Sequence, residues 1–228
     1  ASVQQTLTTL VSLPSFREDD RERQHVILRE VLWRNPEFVN IYRTDSNGMV
    51  LFAARDDNKS NISEDLYVRK ALEGNGFVPG EYYQSSEPAG PVFPYATTIR
   101  NKKGEVQGAL AALFSINAYN RFFNNLSTAD NITLTVTDRS GTTVFFTCSG
   151  QRCEDGKKIV GKTLEQDVWK AVQAKGDSGI LFNESIGGTD RFYAYSKVRL
   201  SSVKAPYLYI FLGVPERIVK LPARRSMV

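Results

Sequence analysis

The chain has 228 residues, 41% hydrophobic and 24% charged, with 29 Lys and Arg against 25 Asp and Glu for a net charge of +4. These figures exclude collagen-like, coiled-coil-only and wholly disordered chains, and they allow one large domain or two small ones. The charge excess is too mild to indicate a nucleic-acid partner, no run approaches the roughly 20 apolar residues of a membrane helix, and one histidine, His25, is the sole candidate for Ser-His-Asp catalysis or a His-based metal site.

Leu7, Leu10 and Val11, then Val26, Leu28, Val31 and Leu32, recur at roughly helical spacing, so the first 34 residues read as a long helix. Pro14 after Leu13 marks a kink or a break in it. His25 follows a densely charged run from Arg17 to Arg23 and reads as an exposed helix residue. Asn35 and Pro36 stop the helix. Strands at 38–43 and 49–54 flank a turn at 45–48 and form a hairpin. Ser63 caps a short helix at 64–73, ended by Gly74. Three strands follow at 80–85, 91–99 and 105–116, the last two joined by a tight turn at 101–104. Asn117 caps a further helix reaching about Leu126.

The order then repeats in shorter form. Residues 132–137 alternate apolar and polar, Asp138 to Gly141 form a turn in the place held earlier by Asp45 to Gly48, and 142–147 return. A helix at 164–174 and strands at 179–183, 191–198 and 207–214 complete the copy. Such internal duplication predicts two modules of similar topology, an antiparallel α+β layout in each. The two cysteines, Cys148 and Cys153, stand on either side of a polar, turn-forming segment, Ser149 to Arg152. They read as a disulfide across a tight loop or as two free thiols.

Four stretches carry a resemblance in their order and spacing. They are 61–72 (Asn-Ile-Ser-Glu-Asp-Leu-Tyr-Val-Arg-Lys-Ala-Leu), 80–85 (Gly-Glu-Tyr-Tyr-Gln-Ser), 91–99 (Pro-Val-Phe-Pro-Tyr-Ala-Thr-Thr-Ile) and 104–113 (Gly-Glu-Val-Gln-Gly-Ala-Leu-Ala-Ala-Leu). With the closing 209–216 (Tyr-Ile-Phe-Leu-Gly-Val-Pro-Glu), the chain resembles the double Cache, or tandem PAS-like, sensor domain of bacterial and archaeal transmembrane receptors. The resemblance implies an α+β fold with a long N-terminal helix over 1–34. It implies a membrane-distal PAS-like module over 35–127 and a membrane-proximal one over 128–216, each a central antiparallel sheet flanked by helices. Residues 217–228 then lead to a second transmembrane helix that, like the first, is not part of this chain. The domain is expected on the periplasmic or extracellular side of the cell membrane, where an oxidising exterior suits a Cys148–Cys153 bridge. The implied function is sensing a small molecule for a histidine kinase, with a diguanylate cyclase or chemoreceptor as alternatives.

The family binds ligands mainly in its distal module, between the sheet and the helix with its preceding loop. Alternation places Phe93, Tyr95 and Thr97 on one face of their strand and Tyr82 with Gln84 on another, with Tyr67 on the helix nearby. Aromatics with a few polar groups suit a small polar or amphipathic ligand, and they equally suit a core. The amino-acid-binding branch has an Arg two or three residues before the helix Tyr, a Trp between them, and an Asp near the end of the last strand. Here the Tyr is Tyr67, but Glu64 or Asp65 stands for the Arg, Leu66 for the Trp and Ser115 for the Asp. Both charge anchors are absent, which argues against an α-amino-acid ligand. Asp65 favours a cationic or hydroxyl-rich molecule, or is a solvated helix-start charge.

No cofactor is called for. A homodimer through the N-terminal helix, with Val11, Val26 and Leu32 as its seam, is the competing role. The chain has no G-x-S-x-G elbow, phosphate loop or HExxH motif, so it does not read as an enzyme.

Overall fold

The computed structural model describes residues 2–56, 58–86, 89–115, 132–148, 159–185, 189–199 and 205–225. The helix expected at 117–126 lies outside them. The chain divides into two compact units, Ala1–Asn120 and Arg121–Val228.

The first unit opens with three helices where one long helix is expected: α1 (Val3–Ser12), α2 (Pro14–Arg17) and α3 (Arg21–Arg34). The Ser2 hydroxyl caps α1 by accepting from Gln5 N at 3.2 Å. Leu13 ends it in an extended conformation, as a residue before proline must, and Pro14 restarts the chain at the first position of α2. A second break falls at Asp19, whose φ is +55°. Asp20 then caps α3 by accepting from Arg23 N at 3.1 Å. The sequence reading placed the first break and missed the second. No glycine or proline marks it, and Asp is one of the few residues that tolerates this conformation.

The strands are β1 (Phe38–Thr44), β2 (Val50–Ala53), β3 (Phe77–Pro79), β4 (Tyr83–Ser86), β5 (Ala89–Arg100) and β6 (Val106–Ser115), with helix α4 (Leu66–Leu72) between β2 and β3. They form one antiparallel sheet in the order β2-β1-β6-β5-β3, with β4 also on β5. Each face has its own core. Leu7, Leu10, Phe16 and Leu28 from α1–α3 pack on Phe38, Ile41, Ile99, Leu110, Ala112 and Phe114. Val68 and Ala71 of α4 pack on Tyr42, Ala96, Ala109, Ala111 and Leu113 of the other face. His25 is half-buried against the Phe52 ring, 5.1 Å between centroids, and not fully exposed as expected.

The second unit repeats this plan with β7 (Thr133–Asp138), β8 (Thr143–Cys148), α5 (Gln166–Ala174), β9 (Ser178–Ser185), β10 (Thr189–Val198), β11 (Leu208–Pro215) and a final helix α6 (Glu216–Arg225). Its sheet order, β8-β7-β11-β10-β9, copies the first. The duplication extends to single bonds. Asp45 Oδ1 accepts from the backbone N–H of Asn47 and Met49, and Asp138 Oδ1 from those of Ser140 and Thr142. Gly48 and Gly141 close the two turns at φ +79° and +85°. Their carbonyls accept from Ile62 N and Leu164 N, which leads the chain toward α4 and α5 in the same way. Val172 of α5 packs with Tyr195, Tyr209 and Phe211. Cys148 is disulfide-bonded, and Cys153 lies outside the described residues.

Candidate functional site

Helix α4 begins at Asp65, which does not cap it with its side chain. The Asp65 carboxylate instead accepts a hydrogen bond from the Tyr67 hydroxyl at 3.2 Å. Tyr67 is buried between the helix and the sheet. Its ring needs a floor without side chains, and Gly80 provides it. A Cβ there would lie 2.9 Å from Tyr67 Cδ1 and 2.6 Å from Pro94 Cγ. Beneath α4 the sheet presents Ala96, Ala109 and Ala111, small residues that let the helix approach closely. Thr98 fixes the far end of the helix. Its hydroxyl donates to the Ala71 carbonyl at 2.6 Å and accepts from Gly76 N at 3.0 Å.

Two further tyrosines share this face. Tyr42 of β1 is almost wholly buried, and Tyr83 of β4 packs against the same cluster. The Lys59 ammonium lies over the Tyr42 ring, 5.5 Å from its centroid. Burial raises the Tyr67 hydroxyl well above its ordinary pKa. The negative charge of Asp65, then Tyr83 and Tyr42, push the same way. Tyr83 pairs with Val92, and Val92 with Ser115 across β5 and β6. Two strand spacings separate Tyr83 from Ser115, about 10 Å between backbones. Ser115 is half-buried, and its N–H donates to the Glu37 carbonyl at 2.8 Å.

Asp65, Tyr67 and Ser115 therefore share the α4 face of the sheet. Tyr95 and Thr97 do not. The alternation read from sequence is right, but it points to the other side. Pro94, Ala96 and Thr98 face α4, while Tyr95 stacks on Phe77 at 5.6 Å in the core under α1–α3. Thr97 pairs with Phe77 and is buried there. Tyr82 also departs from the expected group, meeting Phe93 edge to face at 6.1 Å. The physical reason is the strand expected at 80–85, which is two strands. Residues 80–82 interrupt the pairing where Gly80 N bonds the Pro94 carbonyl at 2.8 Å. The phase of alternation resets there, so Tyr83 and not Tyr82 faces α4. Gln84 pairs with Pro91 in β4. Tyr42, Lys59 and Tyr83 were missed by sequence reasoning. The run of small residues at 96, 109 and 111 was the available signal for which face a helix covers. Among the described residues, no cluster of His, Cys, Asp and Glu is arranged to hold a metal ion.

Two modules with one repeated sheet order, each with a helix laid across one face, define the tandem PAS-like class, and the fold is that of a double Cache-type sensor domain. The ligand-binding domain of an amino acid chemoreceptor of Pseudomonas aeruginosa PAO1, in complex with L-Arg, is similar at TM-score 0.71 and 17% identity, over 95% of this chain and 87% of that one. The extracellular domain of a candidate histidine kinase is similar at TM-score 0.71 and 14% identity, over 95% and 86%. An extracellular ligand binding receptor from Desulfohalobium retbaense matches at TM-score 0.65 and 13% identity over 84% of this chain, which spans about a third (33%) of that receptor's length. No family model matches the sequence, and none of the curated proteins is similar to it in sequence.

Proposed function

We propose that this chain is the extracytoplasmic ligand-sensing domain of a transmembrane receptor, a histidine kinase before a chemoreceptor or a diguanylate cyclase. It binds a small molecule in the first unit, between α4 and the sheet. The observation that carries this is the buried Tyr67–Asp65 pair, set over a floor of glycine and alanine with Tyr42 and Tyr83 on the same face. A buried phenol needs a hydrogen-bond partner, and here a half-buried carboxylate at the helix start supplies it. Aromatic faces beside a carboxylate suit a cationic or hydroxyl-rich ligand. Similar folds in extracellular receptor domains support the setting, and one of them is a complex with an amino acid. By the resemblance to amino-acid-binding sensor domains, Glu64 or Asp65 and Ser115 stand at the charge-anchor positions, so an ordinary α-amino acid is not the expected ligand. The domain itself carries no reaction.

The test is a thermal-shift survey of metabolites, with each hit repeated on Tyr67→Phe and Asp65→Asn. The reading predicts at least tenfold weaker binding in one of them, about 1.4 kcal/mol. Unchanged affinity in both contradicts it.

A dimerisation role has its own support. On α3, Trp33 is 82% exposed and Val26, one heptad earlier, is 66% exposed. Val11 and Leu32 pack instead against the core of their own unit, so the seam proposed is Val26–Trp33. Sedimentation showing only monomer at high concentration contradicts it.

A further inference from the structure

Arg43 is the largest fully buried side chain among the described residues, 1% exposed, and it lies on the face of β1 opposite Tyr42. Its Nη2 donates to Asp19 Oδ1 at 3.3 Å and its Nε to Gln24 Oε1 at 3.2 Å. Gln24 is itself fully buried, and its Nε2 donates to the Ser15 carbonyl at 2.9 Å. Arg43 Nη1 has no hydrogen-bond partner among the described residues. Gly108 makes room for the guanidinium, since a Cβ there would collide with Nη1 and with the Thr44 carbonyl. One strand thus places a tyrosine of the candidate site on one face and, in the next residue, an arginine holding the α2–α3 elbow on the other.

The bonded counter-charge of Arg43, Asp19, is shared, and Asp45 adds a weaker favourable charge. Asp19 sits in the left-handed region, and its second oxygen, Oδ2, accepts from Arg21 Nε at 3.1 Å. One carboxylate therefore serves a buried guanidinium and an exposed one. If Asp19 turns wholly to Arg21, Arg43 loses its bonded counter-charge and is left buried with only the weaker attraction of Asp45. That state is costly unless the helices lift and let water in. In this structure the elbow is clasped.

We propose that the Asp19–Arg43–Gln24 clasp is a two-state latch, which couples the α4 face of the sheet to the position of the N-terminal helices through β1. Lifting α1–α3 removes the support behind β1, and Tyr42 then loosens under α4. The coupling is reciprocal, so a ligand that tightens the Tyr42 face favours the clasped state.

Hydrogen exchange on the full chain tests this without any ligand. Asp19→Asn keeps a residue that tolerates the elbow's φ and removes the charge. It is expected to speed exchange in α1–α3 about tenfold and in α4 a few-fold, with β9–β11 unchanged. Arg21→Gln frees Asp19 for Arg43 and is expected to slow exchange in the same two regions. The latch is overturned if the Asp19→Asn effect stops at residues 15–24, is absent, or appears equally in the second unit. It is also overturned if both substitutions shift α4 exchange in the same direction.

Discussion

Asp65 and Tyr67 are two residues apart, yet their side chains meet, because the first ends an extended segment and the second lies in the first turn of α4. The phenol is neutral and raised in pKa by burial first and by Asp65 next. The folded chain then holds this proton at a pH where the unfolded chain, near the ordinary 10.0, has lost it. Stability contributed by Tyr67 is therefore complete below about pH 10 and falls as pH rises beyond it. Denaturant midpoints measured from pH 9 to pH 11 are expected to fall less steeply for Tyr67→Phe than for the parent chain. Equal slopes contradict the burial of a neutral phenol. At Gly80 the backbone itself is the contact. Gly80→Ala must displace Pro94 or the Tyr67 ring, at a cost of about 1–3 kcal/mol by urea unfolding.

Helix α4 is short, and tertiary contacts hold it more than its own propensity does. Its C-terminal end is tied to β5 by one hydroxyl, that of Thr98. Thr98→Val preserves shape and strands the Gly76 N–H, while the Ala71 carbonyl keeps only its backbone partners such as Gly74 N. The expected loss is about 1–3 kcal/mol, with faster amide exchange in α4 than in α1. At this scale the sequence was legible where signals were strong. Asp45 to Gly48 and Asp138 to Gly141 announce their turns, and Pro14 announces its break. Two features were not legible, and a third needed a signal other than periodicity. The elbow at Asp19 depends on a partner 24 residues away, Arg43. The split between β3 and β4 depends on how closely Gly80 approaches Pro94 and Tyr67, which no local pattern encodes. Periodicity groups Tyr95 with Thr97, but it carries no information about which of two helical layers covers them. That choice follows from the packing of small residues against α4.

The molecule uses one plan twice, and the copies differ where function would separate them. The first unit has Asp65 and Tyr67 at the start of α4, Tyr42 packed in the same cluster, and Lys59 over the Tyr42 ring. At the corresponding place the second unit packs Trp169 edge to face on Tyr209 at 4.6 Å, with Val172 buried beside them. Because each unit has its own sheet and core, residues 1–120 expressed alone are expected to melt cooperatively with mixed helix and strand content by circular dichroism. A chain that stays unfolded under those conditions contradicts the independence of the first unit. The central claim is the position of the ligand, and chemical-shift mapping tests it most directly. Backbone amide spectra would be recorded with and without a metabolite that raises the melting temperature. The account predicts shifts concentrated at Tyr42, Lys59, Asp65, Tyr67, Tyr83 and Ser115. Shifts centred on Tyr95 and Thr97, or on the second unit, would contradict it.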